Sequence, residues 1–250
     1  MLCGLDQLTG RSPAAGWKRW LLAVLCGAVA LGGSASADDP WEFWPEGQLF
    51  VGLNPRTRVF LNAAYAKGKE SDERSLDAAA YLDISFLPVG PRRRRSLRTE
   101  DWQRGRYFWA RVGYDRVFKA TEGESSPSAA EDRGILSLWG KFPLPGDVWV
   151  EGRARADLRW IGAEYSTRYR WRLEATREFV VLDHAVVPYL NVEWFYDTRY
   201  DGWARTLYQA GFEGTVSKHL RFEVNLSQQT DTLPETARLN AVSVVVKGYY

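Results

Sequence analysis

The sequence predicts an all-β fold, an antiparallel transmembrane β-barrel of about 10–12 strands with a charged lumen. Three observations carry this. From about residue 48 onward, segments of roughly 10 to 15 residues alternate apolar and polar side chains with period two. After residue 37, no stretch approaches 18 uninterrupted apolar residues, so a membrane helix is not available and only a closed barrel can span a bilayer. The last segment, Val242, Val244, Val246, Gly248 and Tyr250, ends on an aromatic in alternating phase, as a strand closing at a bilayer rim does. The competing fold is a soluble periplasmic barrel or sandwich, whose half-buried strands alternate in the same way.

Residues 1–37 read as a cleavable secretory signal. Arg11, Lys18 and Arg19 form its charged region, residues 20–31 its apolar region, and Ala35-Ser36-Ala37 its cleavage site. Twelve apolar residues reach only about 18 Å, short of the roughly 30 Å hydrocarbon core, so an anchor helix is disfavoured. The organisation is therefore a signal over 1–37 and a barrel over 38–250. Cys3 and Cys26 both fall in the signal, which excludes disulfide, thiol and cysteine-metal chemistry from the remainder. A lipidated Cys26 is disfavoured because Leu25 stands where a small residue is wanted.

Charge and aromatic content agree with this reading. The chain has 33 Lys and Arg against 31 Asp and Glu; removing Arg11, Lys18, Arg19 and Asp6 leaves 30 against 30. That balance argues against a nucleic-acid binder. Of 12 Trp only Trp17 and Trp20 are lost, so ten join 12 Tyr and 11 Phe, enough to furnish interfacial girdles.

Along the chain, residues 48–53 form a short first segment, followed by weaker Ala- and Gly-containing strands over 59–65, 76–86, 107–118 and 134–142. Pro145-Gly146-Asp147 is a turn. Residues 148–160 make the clearest strand: Val148, Val150, Ala154, Leu158 and Trp160 share one face, while Glu151, Arg153, Arg155, Asp157 and Arg159 share the other. An unbroken charged row of this kind faces a barrel lumen. The next strand sets Tyr169, Trp171, Leu173 and Phe179 against Arg168, Arg170, Arg172, Glu174 and Glu178, with Arg177 interrupting the apolar face. Leu190, Val192, Trp194 and Tyr196 then oppose Asn191, Glu193 and Asp197. Tyr208, Ala210, Phe212 and Val216 oppose Arg205, Gln209 and Glu213, and Leu220, Phe222, Val224 and Leu226 oppose Arg221, Glu223, Asn225 and Ser227. In the last strand Val242, Val244, Val246 and Tyr250 should face lipid, with Ser243, Val245 and Lys247 toward the lumen. Ten such residues tilted by about 45° cover roughly 23 Å of bilayer normal, so the lengths suffice.

With the C-terminus in the periplasm, the turns at 145–146, 183–184 and 218–219 are periplasmic, and 121–132, 162–165, 200–203 and 231–236 face outward. The Pro-containing connection 88–103, with Arg92-Arg93-Arg94-Arg95, is unusually long for the periplasmic side. Those arginines read as a solvated loop, or as a patch for anionic head groups or a periplasmic partner. Counting residues 48–53 gives eleven strands and omitting them gives ten, whereas single-chain bacterial barrels use even numbers.

Tyr169-Arg170-Trp171-Arg172-Leu173-Glu174 and Pro188-Tyr189-Leu190-Asn191-Val192-Glu193, followed by Arg205, Gly211 and the terminal strand, resemble a family of proteobacterial outer-membrane barrels catalogued as a domain of unknown function. The similarity covers most of 38–250 and is specific from about residue 148; the region before Trp109 departs most. It implies a fold and a cell outer membrane location, with no activity to carry over.

The candidate site is the lumen: Arg153, Arg155, Asp157, Arg170, Arg172, Glu174, Glu193, Asp197 and Arg205. A turn over 162–164 would set Arg153 opposite Glu174 and Asp157 opposite Arg170. The following turn would set Arg170 opposite Asp197 and Glu174 opposite Glu193, with Asp197 near Arg205. Facing opposite charges support a sheet by about 0.2–1 kcal/mol each, so the network serves as a structural plug. The alternatives are a narrow passage for ions or small polar solutes, and acid–base work at a Glu174–Glu193 pair. A lipid-modifying enzyme is a further alternative, but His184 and His219 map to periplasmic turns, away from a nucleophile on a shared face. No catalytic, cofactor or metal residue is assigned; Glu122, Glu124, Glu131 and Asp132 are no more than a trace of calcium-site chemistry. Expected partners are outer-membrane lipid, barrel-assembly machinery and periplasmic chaperones, with Tyr250 as the C-terminal assembly signal of a monomer.

Overall fold

The computed structural model describes residues 40–67, 73–86, 107–121, 130–181 and 184–250. The signal over 1–37, the connection 88–103 with its arginine run, and most of the outer loop 121–132 lie outside the described residues. The alternating segments become twelve strands: β1 (Trp41–Asn54), β2 (Thr57–Lys67), β3 (Glu73–Ser85), β4 (Phe108–Thr121), β5 (Glu131–Leu144), β6 (Val148–Ile161), β7 (Glu164–Arg177), β8 (Phe179–Val181), β9 (His184–Asp197), β10 (Gly202–Thr215), β11 (Leu220–Asp231) and β12 (Ala237–Tyr249). β8 continues β7 past Glu178 in the same register against β9, so the wall has eleven strands. β10 pairs with both β9 and β11, and β1 with both β2 and β12, which closes the sheet on itself.

The expectation of an antiparallel barrel needs one correction. Neighbours joined by a hairpin reverse direction, so with an odd count the first and last strands run the same way, and β1 pairs with β12 in parallel from Trp41↔Asn240 to Phe50↔Tyr249. Both ends of the seam are fastened: the Asn240 amide donates to the Pro40 carbonyl (2.9 Å), the Tyr250 amide to Phe50 (2.9 Å), and the Gly52 amide to Tyr250 (2.7 Å). β1 is also longer than the segment 48–53 suggests, because its first half carries Pro45, Gly47 and two glutamates that blur the alternation.

The pairings advance about 14 residues around the ring, which tilts the strands by roughly 40° and gives a backbone radius of about 11 Å. This lies between eight-stranded barrels, whose interiors side chains fill, and porins, which leave a channel. Every strand carries at least one large apolar side chain exposed on the outer face, among them Tyr65, Phe118, Leu138, Trp171, Phe212 and Val246. The terminal strand follows its expected phase: Val246 and Tyr250 are exposed outside, and Ser243 and Val245 are buried inside.

The apolar core lies in the lumen and straddles the seam. Tyr249, Phe50, Phe60 and Tyr81 stack in succession across β12, β1, β2 and β3, with centroids 4.9, 4.5 and 5.2 Å apart. Arg221 lies 4.2 Å over Tyr249, Arg58 4.3 Å over Phe50, and Arg111 4.2 Å over Phe60. Parallel pairing is slightly weaker per residue than antiparallel pairing, and this seam has no hairpin to hold it. Each aromatic pair adds about 0.5–1.5 kcal/mol beyond area burial, so the stack reinforces the closure. Gly113 on β4 makes room for it, because a Cβ there would sit 2.4 Å from the Tyr81 ring.

Candidate functional site: the charged lumen

The β6–β7 hairpin sets the register of the charged wall. Its turn is two residues long, with Ile161 paired to Glu164 and Gly162 at φ +60°, a left-handed conformation that glycine adopts without a Cβ clash. This tight closure displaces the expected pairing of Arg153 with Glu174, and every facing residue on β7 moves by two. Arg153 faces Arg172, Arg155 faces Arg170, Asp157 faces Arg168 and Glu151 faces Glu174. On the far side of β7, Arg172 faces Glu193 and Arg168 faces Asp197. The expected pairs Arg153–Glu174, Arg170–Asp197 and Glu174–Glu193 are not formed in this register.

Charge balance is recovered diagonally, because arginine is long enough to reach the next residue on the same face. Glu193, 0% exposed, is the hub: Arg153 and Arg170 donate to Oε1 (both 2.6 Å), and Arg172 donates through Nε (2.9 Å) and a terminal nitrogen (2.7 Å) to Oε2. Arg155 bonds Asp157, which Arg170 also approaches at 3.6 Å, so the Asp157–Arg170 link of the expected network does form. Asp197, also 0% exposed, takes Arg159 (2.6 Å), Arg168 (2.8 Å) and the backbone amide of Arg199 (3.0 Å). Arg159 also bonds Glu131, Glu131 holds Arg133 (2.8 Å), and Arg133 reaches Asp115 (3.3 Å) and Asp77 (3.6 Å). A continuous ionic chain thus runs along the wall from β3 to β9.

Two expected members sit elsewhere. Arg205 is shifted by a bulge between Trp203 and Arg205 and bonds Asp231 (2.5 and 3.0 Å), away from Asp197. Glu174 receives Asn191 at 3.5 Å and lies opposite Glu151, so the acid–base reading of a Glu174–Glu193 pair loses its geometry. Glu193 is instead surrounded by three guanidinium groups.

The structure adds to the site Asp83 with its arginines, which the sequence reading did not single out, and the inward Glu213, Glu223 and Lys247, which it placed on the lumen face but left out of the network. Asp83, 0% exposed, is gripped by Arg58 (2.8 Å) and Arg111 (2.6 Å) beneath the aromatic stack. Lys247 bridges Glu213 (2.7 Å) and Glu223 (2.5 Å), and Tyr189 also bonds Glu223. A signal was present for Arg111 and Asp115, which share one phase of β4 opposite Phe108, Val112, Tyr114 and Phe118. The remainder of the wall is different: Ala64, Ala66, Ser75 and Ala79 face inward on β2 and β3 and are only half-buried.

The histidines hold backbone rather than a nucleophile. His184 Nδ1 contacts the Thr215 carbonyl (3.0 Å), and His219 Nδ1 contacts that of Tyr249 (2.7 Å) while its ring stacks on Tyr250 at 5.4 Å. Tyr250 itself is 74% exposed on the outer face. Among the described residues, no group of three or more His, Cys, Asp or Glu is arranged to hold a metal ion. Two clefts lie outside the lumen, on the apolar face along Gly152, Ala154 and Ala156.

No family model and no curated protein matches the chain. Among solved structures, the β domain of the Bordetella autotransporter Brka is similar with a TM-score of 0.46 and 14% identity, over 74% of this chain and 78% of that chain.

Proposed function

We propose that this chain is an outer-membrane β-barrel whose lumen is largely plugged by its own ion pairs, with a structural or interaction role and no enzymatic one. One observation carries the reading. Large apolar side chains are exposed on the outside of every strand, while carboxylates such as Asp83, Glu193 and Asp197 are fully enclosed inside. Water as the outer solvent would leave the exposed apolar surface far beyond the few hundred Å² typical of a soluble monomer; hydrocarbon makes it the expected surface. The proposed orientation places Tyr250 and the turns at 145–147 and 216–219 in the periplasm. Lipid is the main partner, and barrel-assembly machinery and periplasmic chaperones deliver a monomer.

The half-buried Ala64, Ala66, Ser75 and Ala79, facing a wall of long arginines, support a second reading, a narrow passage for ions or small polar solutes. Planar-bilayer recording separates the two: a silent parent protein supports the plug, and steady conductance supports the passage. Fractionation tests the membrane reading. The mature chain should appear in the outer membrane with heat-modifiable migration, and recovery from periplasm without detergent contradicts it.

A further inference from the structure

We infer that this barrel opens its first strand at the cell exterior, with Trp41 on the outer rim, while the C-terminus stays on the periplasmic side. The inference rests on the orientation proposed above for its sidedness, and on the β1–β12 seam for the separation of the two ends.

The argument is topological. In an even-stranded meander the first and last strands are antiparallel, and both chain ends emerge at one rim. Here eleven strands close through a parallel pair. Trp41 lies beside Asn240, one strand-length from the terminus, and Phe50 beside Tyr249. The start of β1 therefore shares a rim with the β11–β12 connection at 232–236, and the end of β1 shares the other rim with Tyr250. The β1–β2 turn at Pro55-Arg56 falls on that second rim with the turns at 145–147 and 216–219. Register slippage does not undo this assignment. The seam is fastened at both ends by the Asn240–Pro40 and Phe50–Tyr250–Gly52 hydrogen bonds, and the Tyr249–Phe50–Phe60 stack locks the side chains across it. Reversing β1 would break all of these at once.

The consequence is a barrel whose first strand opens on the side opposite its C-terminus, which an even-stranded meander does not allow. β1 starts at the outer rim, where exposed Trp41 and Phe43 sit at the apolar edge.

Site-directed labelling tests this. Removal of residues 1–37 leaves a chain without cysteine, so single substitutions P40C, E235C, R56C and K218C each report one rim. Glu235, Arg56 and Lys218 are exposed, and none of the four side chains belongs to the lumen network. Intact cells are treated with a membrane-impermeant maleimide, permeabilised cells serve as the total, and heat-modifiable migration confirms that each variant has folded. Labelling of P40C and E235C in intact cells, with R56C and K218C labelled only after permeabilisation, is the expected result. If P40C is protected along with R56C and K218C while E235C is labelled, the seam assignment is overturned and the orientation survives. If R56C and K218C are labelled and the other two protected, outward opening is overturned because the orientation is reversed, although the ends still lie on opposite rims. Labelling of none until the outer membrane is opened, with soluble release, overturns the membrane reading and the inference together.

Discussion

Replacing Glu193 with Gln keeps the side-chain volume and removes the charge that three guanidinium groups share. Arg153 and Arg172 lose the carboxylate they bond, while Arg170 keeps Asp157 at 3.6 Å. Breaking a buried ion pair by neutralising one member costs about 3–5 kcal/mol, because the remaining charge is left uncompensated. That range corresponds to roughly 10²- to 10⁴-fold in the ratio of folded to unfolded protein at 1.36 kcal/mol per decade. The assay is urea unfolding of the refolded barrel in lipid vesicles, following the heat-modifiable band. Glu174→Gln is the matched control: its contact is Asn191 at 3.5 Å, so the expected loss is under about 1 kcal/mol. A Glu193→Gln barrel within about 0.5 kcal/mol of the parent, or no weaker than Glu174→Gln, would refute the hub.

Gly113→Val should destabilise by about 1–3 kcal/mol or block folding, since a Cβ would sit 2.4 Å from the Tyr81 ring and 2.9 Å from the Tyr81 Cα; urea midpoints against the parent check this. Phe50→Ala removes the ring stacked between Tyr249 and Phe60 and should cost about 3–5 kcal/mol at the seam, read as a lowered melting temperature of the folded band. His219→Ala loses the Tyr250 stack and the Tyr249 carbonyl contact; a cost of about 1 kcal/mol and unchanged lipid A acylation are expected, and altered acylation would reopen the enzyme reading. Arg170→Ala with Arg172→Ala removes two guanidiniums from the Arg-rich wall and should raise single-barrel conductance above a silent parent; an unchanged trace would count against the plug.

Legibility in the sequence followed the contrast between the two faces of each strand. In β6 and β7, Arg153 to Arg159 and Arg168 to Glu174 alternate with apolar residues without interruption, so inner and outer faces could be separated by inspection. From β1 to β3 the inner face mixes Phe50, Phe60, Tyr81, Ala64, Ala66 and Ala79 with charges such as Arg58 and Asp83, and the period-two contrast fades. For the same reason the aromatic core escaped notice, because aromatic residues were expected on the lipid face. The members of the ionic site were largely legible and their pairings were not. The two-residue turn at Gly162-Ala163 puts every facing residue two positions from the expected pairing, and composition does not fix the turn's closure. The parallel seam joins residues near the two ends of the chain, so no local pattern announces it.

Alternation along β6 in a bilayer tests the central claim most directly. Spin labels placed singly at residues 150 to 159 should show collision with oxygen at even positions such as Val150, Ala154, Ala156 and Leu158, on the face toward lipid. Labels at Glu151, Arg153, Arg155, Asp157 and Arg159 should be shielded from it inside the lumen. A period-two oxygen profile with this phase is the predicted result; a flat profile, or even positions that collide with a water-soluble nickel reagent, would contradict a membrane-spanning barrel with its charges inside.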